Sequence, residues 1–234
     1  AVVAGYFLAA ATYGFDIVVF AVVMIATALI MGGACVFNNI TDSSIDKYMK
    51  RTQKRALVTG AVSTKAAVWY GVILLAVGFA LLAYFTNSVT VLIGAIGVLD
   101  YVVLYAYAKR HSVYGTVVGT IAGAVPPIAG YTALSGHINL AALLLFVILF
   151  FWQMAHFYAI ALFRKGDYAR VHIPVYPVIK GVTATKRWIV VYIIGFVIST
   201  LLLAVCNYVG VIYAVVMSVT GGYWLYVAIK NYGL

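Results

Sequence analysis

The chain has 234 residues, of which 66% are hydrophobic and 9% charged, and its mean hydropathy is +1.10, values that exclude both a soluble globular domain and a disordered chain. Its formal net charge of +10 arises from 15 Lys and Arg against 5 Asp and Glu. A membrane span takes about 20 apolar residues, so a single all-α, polytopic transmembrane helical bundle uses the whole length and leaves no room for a separate soluble domain.

Taken in chain order, apolar windows of about 19 residues place spans near 1–12, 16–37, 66–85, 89–108, 114–134, 139–163, 188–206 and 208–229. The first run is too short to cross alone. It reads as the remainder of a span rather than a signal peptide, which makes a sequence trimmed at its start the expectation. Cys35 and Cys206 lie in separate apolar segments without CxxC spacing and read as small packing residues.

The connections alternate. Segments 38–65, 109–113 and 164–187 carry basic residues, whereas 13–15, 86–88, 135–138 and the turn around Asn207 carry no Lys or Arg. A serpentine of helices then puts all 15 basic residues on one face, and the positive-inside rule makes that face cytoplasmic. The charge is a local field on a membrane protein rather than a nucleic-acid footprint, and the lipid bilayer is the bulk partner.

That basic face also carries acid. Asn38, Asp42 and Asp46 follow the second span at i, i+4 and i+8. If the helix continues past the membrane, their oxygens share one face. Hard Mg²⁺ takes oxygen ligands and is commonly held by one or two carboxylates together with substrate phosphates. The cations Lys50, Arg51, Lys54 and Arg55 follow within three turns and would face the remaining phosphate oxygens. A solvated helix end with i, i+4 ion pairs is the plain alternative. Against it, acid is scarce in this chain, and ionisable residues beside a membrane are functional by default.

Further along, Asp100 lies inside the fourth span, where it should face a cavity or pair with a hydroxyl. Gly115, Gly119 and Gly123 recur at i, i+4 and i+8 and should admit a neighbouring helix closely. Pro126-Pro127 should kink the same span beside protein or a cavity wall. His156 sits eight residues before Arg164, roughly 12 Å below the charged loop at about 1.5 Å per residue. An ionisable residue facing a cavity at that depth is functional more often than structural. His111, beside Lys109 and Arg110, is a second candidate, and His137 and His172 read as loop residues. The 19 tyrosines and 12 phenylalanines are mainly span and interface residues, and some should line a cavity.

The run Asn38-x-x-x-Asp42-x-x-x-Asp46 and the pair Tyr105-x-x-x-Lys109 resemble the motifs of the intramembrane UbiA-type prenyltransferase superfamily. The runs CVFNNITDSSIDKYMKRTQKRALVTG, AKRHSVYGT, PPIAGY and WQMAHFYAIALFRKGDYARVHIPVYPVIKG, spread over about residues 35–181, are similar to its protoheme IX farnesyltransferase (haem O synthase) branch. The resemblance implies a bundle of nine helices around a central cavity, one more than the eight spans counted, hence trimming at both ends. It implies farnesyl diphosphate as donor, protoheme IX as acceptor, Mg²⁺ as cofactor and haem as substrate rather than cofactor. Asn38, Asp42, Asp46, Lys109, Arg164 and Asp167 would be catalytic, with Asp167 completing the metal ligands. Asn39, Lys50, Arg51, Lys54, Arg55, Tyr105, Arg110, His111, His156 and Lys165 would bind substrate. It also implies a bacterial inner membrane, or a mitochondrial inner membrane in a eukaryote, and hand-over of product to a haem A synthase or terminal-oxidase assembly.

Two departures stand out. The position aligned with the first acid of the superfamily's second Asp-rich motif is His156, and the basic run ends Arg55-Ala56 where relatives have Arg-Pro. Two other readings remain at this point: a quinone-precursor prenyltransferase of the same superfamily, and a phosphorylated-lipid transporter. The transporter reading lacks internal repeats and polar residues at the midplane.

Overall fold

Inside a bilayer each backbone N–H must be paired within its own segment, and the computed structural model, which describes residues 1–232, is helical throughout its apolar stretches. In chain order the elements are α1 (Val2–Tyr13), α2 (Ile17–Asp46), the single turn α3 (Ala56–Thr59), α4 (Thr64–Phe85) and α5 (Ser88–Leu99). A π-helical turn (Asp100–Leu104) joins α5 to α6 (Tyr105–His111), followed by α7 (Gly115–Ser135) and α8 (Leu140–Phe163). The short α9 (Lys165–Arg170) and α10 (Tyr176–Ile179) precede α11 (Val182–Val205) and α12 (Val211–Tyr232).

With Ser88–His111 taken as one helix, seven helices are long and apolar enough to cross a membrane, and α1 is a shorter apolar helix. The eight expected spans are therefore all helices. The boundaries differ where polar residues continue a helix beyond the bilayer: α2 runs on to Asp46, and α11 begins at Val182 rather than near 188.

At one end of the bundle, short turns stop the helices sharply because side chains take up the orphan N–H groups of each first turn. The Asp16 carboxylate accepts from Val18 and Val19 N–H at 2.8 and 3.1 Å. Asn87 caps α5 through Thr90 N–H at 3.0 Å, and Asn139 caps α8 through Ala142 N–H at 3.2 Å. The same two asparagines donate to the Thr132 carbonyl and the Tyr131 hydroxyl, each at 2.8 Å, tying both helices to the end of α7.

Small residues let the helices close on one another. Gly33 faces Leu75, Gly71 faces Phe37 and Gly78 faces Ile30, an antiparallel seam between α2 and α4. Gly5 of α1 lies against the Pro127 carbonyl, and Gly130 of α7 against the Val2 carbonyl. Of the two settings expected for Pro126-Pro127, protein or a cavity wall, the structure has protein: α7 continues through both prolines as one helix, and this stretch packs on α1. The α7 span is the most buried and the α12 span the least, so α7 is the central post and α12 turns its apolar side chains outward.

Candidate active site

Because α2 carries on for 30 residues to Asp46, Asn38, Asp42 and Asp46 do stack along one helix face. Asn38 Nδ2 donates to Asp42 Oδ2 at 3.0 Å, which turns the Asn38 carbonyl oxygen outward. Into that oxygen Lys109, from the end of α6, donates at 2.7 Å. The same ammonium is 2.5 Å from Asp42 Oδ1. Arg110 Nη2 stands 3.7 Å from that carboxylate oxygen and also donates to the Thr41 carbonyl.

Asp46 finds its cation from the loop that follows. Residues 47–55 do not extend α2 but fold back as turns, and the Thr52 hydroxyl donates to the Asp46 carbonyl at 3.1 Å. This return brings Arg55 Nη1 to 2.6 Å from Asp46 Oδ2. Of the four cations expected beside the acids, Arg51 and Arg55 line the cavity, while Lys50 and Lys54 are exposed outside its lining.

A cavity of about 650 Å³ opens here between α2, α6, α7 and the end of α8. Its polar wall holds Asn38, Asp42, Asp46, Arg51, Arg55, Lys109, Arg110 and Arg164; its apolar wall holds Tyr101, Tyr105, Phe157 and Ile160. Tyr101 and Tyr105 stack with centroids 5.5 Å apart, and the Lys109 ammonium is 5.1 Å from the Tyr105 ring centroid. The glycines of α7 make this geometry. A Cβ on Gly115 would come within 2.7 Å of the Lys109 Cα, and one on Gly119 within 2.6 Å of the Tyr105 ring. Gly123 gives its space to the Gln153 carboxamide.

Other candidates fall outside the cavity wall. Asp167, on α9, sits between Arg164 at 3.6 Å and Arg170 at 3.8 Å. Asn39 and Lys165 are half-buried and do not line the cavity. His111 stacks on Tyr107 and its Nδ1 is 2.9 Å from the Tyr107 carbonyl. His156 is exposed on the flank of α8, its ring parallel to Trp152 at 5.1 Å and 11°. Asp100 neither faces the cavity nor pairs with a hydroxyl as expected. It is buried, and its carboxylate accepts the Ala122 N–H of α7 at 3.0 Å.

Tyr101, Met49, Phe157 and Tyr168 were not singled out by sequence reasoning, yet all four line the cavity. Tyr101, one turn before Tyr105, was the one most open to discovery. The donor set suits Mg²⁺: two carboxylates and a carboxamide oxygen face one cavity, with cations placed for the phosphate oxygens. Among the described residues no group of three or more His, Cys, Asp or Glu makes a full protein cage, which leaves coordination positions for phosphate and water.

Both the sequence and the fold have relatives among known proteins. Protoheme IX farnesyltransferase 1 of Shewanella frigidimarina (strain NCIMB 400) is 45% identical over 231 residues, covering 98% of this chain and 76% of that protein. Protoheme IX farnesyltransferase of Pseudomonas syringae pv. syringae (strain B728a) is 46% identical over 231 residues, covering 98% and 78%. Among solved structures, the apo UbiA homolog from Aeropyrum pernix K1 superposes with a TM-score of 0.78 at 21% identity, covering 98% of this chain and 88% of that one. A UbiA homolog from Archaeoglobus fulgidus bound to GPP and Mg²⁺ gives 0.72 at 16% identity, covering 98% and 83%. The UbiA prenyltransferase family matches residues 1–234, and with it the whole chain belongs to that family.

Proposed function

We propose that this membrane prenyltransferase transfers the farnesyl group of farnesyl diphosphate to a vinyl group of protoheme IX, giving haem O. The observation that carries the reading is the cavity itself: a row of metal-type oxygen donors on α2, cations from three other segments, and an aromatic wall beneath them. The identity of 45–46% to protoheme IX farnesyltransferases over 98% of the chain selects the acceptor.

Asn38, Asp42 and Asp46 would hold Mg²⁺ against the diphosphate, and Mg²⁺ so bound supplies charge neutralisation to the leaving group. Arg51, Arg55, Lys109 and Arg164 donate to the phosphate oxygens as the C1–O bond breaks and its electron pair leaves with diphosphate. Tyr101, Tyr105 and Phe157 offer ring faces to the allylic cation. The terminal vinyl carbon bonds to farnesyl C1, the adjacent carbon takes a water oxygen, and the proton that water loses passes to diphosphate. No strong general base is needed.

Asp167 serves this reading best through Arg164, which it holds at the cavity rim; direct metal ligation requires it to leave both arginines. His156, on the flank of α8 and outside the cluster that grips phosphate, fits haem contact better than diphosphate contact. The active face is cytoplasmic, in a bacterial inner membrane or its mitochondrial counterpart, with product handed to a haem A synthase or terminal-oxidase assembly. Incubating the purified protein with haem, farnesyl diphosphate and Mg²⁺ should yield a product of haem O mass, and omission of Mg²⁺ should abolish it. Transfer to a quinone precursor but not to haem overturns the assignment.

A further inference from the structure

Lys109 and Arg55 stand on three of the five oxygens that Asn38, Asp42 and Asp46 offer a metal. The Lys109 ammonium bridges Asn38 Oδ1 at 2.7 Å and Asp42 Oδ1 at 2.5 Å, and the Arg55 guanidinium closes on Asp46 Oδ2 at 2.6 Å. These are not solvated surface pairs. The side chains of Asp42, Asp46 and Lys109 are 18%, 6% and 11% exposed, and carboxylates so enclosed need a counter-charge at all times.

Mg²⁺ bonds its oxygens at about 2.0–2.1 Å, so at Asp42 Oδ1 or Asp46 Oδ2 it would stand within a few ångströms of a cation already in contact with that oxygen, a like-charge repulsion that an enclosed site screens poorly. Drawing Asn38, Asp42 and Asp46 together onto one metal therefore pushes the ammonium and the guanidinium away from them. In a half-buried cavity they cannot be left without anions, and the groups able to receive them are the phosphates of the second ligand. We infer that Lys109 and Arg55 are built-in counter-ions that keep the metal site closed until diphosphate arrives, so that metal and diphosphate are admitted together by a cation exchange. The inference rests on the metal-diphosphate reading of this site and adds its order of binding. By linkage, diphosphate tightens the metal and the metal tightens diphosphate by the same factor.

Binding of Mn²⁺, read by electron paramagnetic resonance of the free ion, tests this on the full chain in detergent. Wild-type protein should bind Mn²⁺ weakly alone. It should bind about 10-fold or more tighter with a non-reacting farnesyl thiodiphosphate, after correction for complexes formed without protein, a coupling within the usual 5–150-fold range. Lys109→Met should tighten Mn²⁺ binding in the absence of diphosphate and shrink the enhancement by diphosphate; Arg55→Gln should do the same through Asp46 and serves if Lys109→Met fails to fold. Asp42→Asn separates the two levels of the argument. If it abolishes Mn²⁺ binding while both cation variants bind Mn²⁺ no tighter than wild type, the exchange is wrong and the metal site stands. If it leaves Mn²⁺ binding unchanged, the metal-diphosphate reading fails and takes the exchange with it.

Discussion

Asp42 touches Asn38, Lys109 and Arg110 within a few ångströms, so its removal has two separable consequences. Asp42→Ala takes away an oxygen proposed for the metal and removes the carboxylate partner of the Lys109 ammonium, whereas Asp42→Asn keeps the shape and lowers the charge. Both should reduce haem O formation by about 10²-fold or more, the usual scale for losing a group aimed at developing charge. Thermal unfolding should shift clearly for Asp42→Ala and little for Asp42→Asn; near-normal turnover in either would remove Asp42 from the chemistry. His156 makes the complementary case. It is exposed on α8 beside Trp152 and outside the cavity lining, so under the proposed function it is a candidate for the acceptor rather than for diphosphate. His156→Ala should weaken haem binding and change the Soret band of bound haem while leaving the affinity for a farnesyl diphosphate analogue nearly intact. Weakened analogue binding with an unchanged haem spectrum would reverse its role.

Between elements, α7 decides where the α6 cation lands. Gly115 packs against the Lys109 backbone, and a Cβ there meets the Lys109 Cα at 2.7 Å, a backbone atom that no rotamer change can move aside. Gly115→Ala should therefore push α6 off α7, cost about 1–3 kcal/mol as overpacking and depress turnover by displacing Lys109. Gly166→Ala, with open space around its Cβ, should leave both unchanged. Circular dichroism melts and product mass measure the pair. The glycine spacing and the long α2 were legible in the sequence because helical periodicity alone places Asn38, Asp42 and Asp46 together. The π-helical turn was not: inserting Asp100–Leu104 shifts the helical register, and the Tyr105 N–H bonds back to the Asp100 carbonyl. Nor was the partner of Asp100, because a backbone N–H on another helix leaves no mark in side-chain pattern. The fold-back of 47–55 that carries Arg55 to Asp46 was also hidden, since its basic residues read equally well as more helix.

At the scale of the whole molecule, the two ends of the bundle differ in kind. One end is closed by the Asp16, Asn87 and Asn139 caps and lacks Lys and Arg in its turns. The other carries the cavity, whose cations come from the α2–α4 connection, the end of α6 and the end of α8. The positive-inside rule counts Lys and Arg in short loops near span ends, and here the count is one-sided. Under the proposed function, orientation then follows from the same residues that build the site: a cation placed to grip diphosphate would also hold its loop in the cytoplasm. With Cys35 and Cys206 replaced by Ala, single cysteines at Ser88 and Ile138 should react with a membrane-impermeant maleimide added to intact cells. Cysteines at Gln53 and Gly166 should react only after permeabilisation or in inverted vesicles. All four positions are exposed in the fold, so accessibility reports side rather than burial. Labelling of Gln53 or Gly166 in intact cells would place the cavity on the outer face and break the link between charge, topology and chemistry.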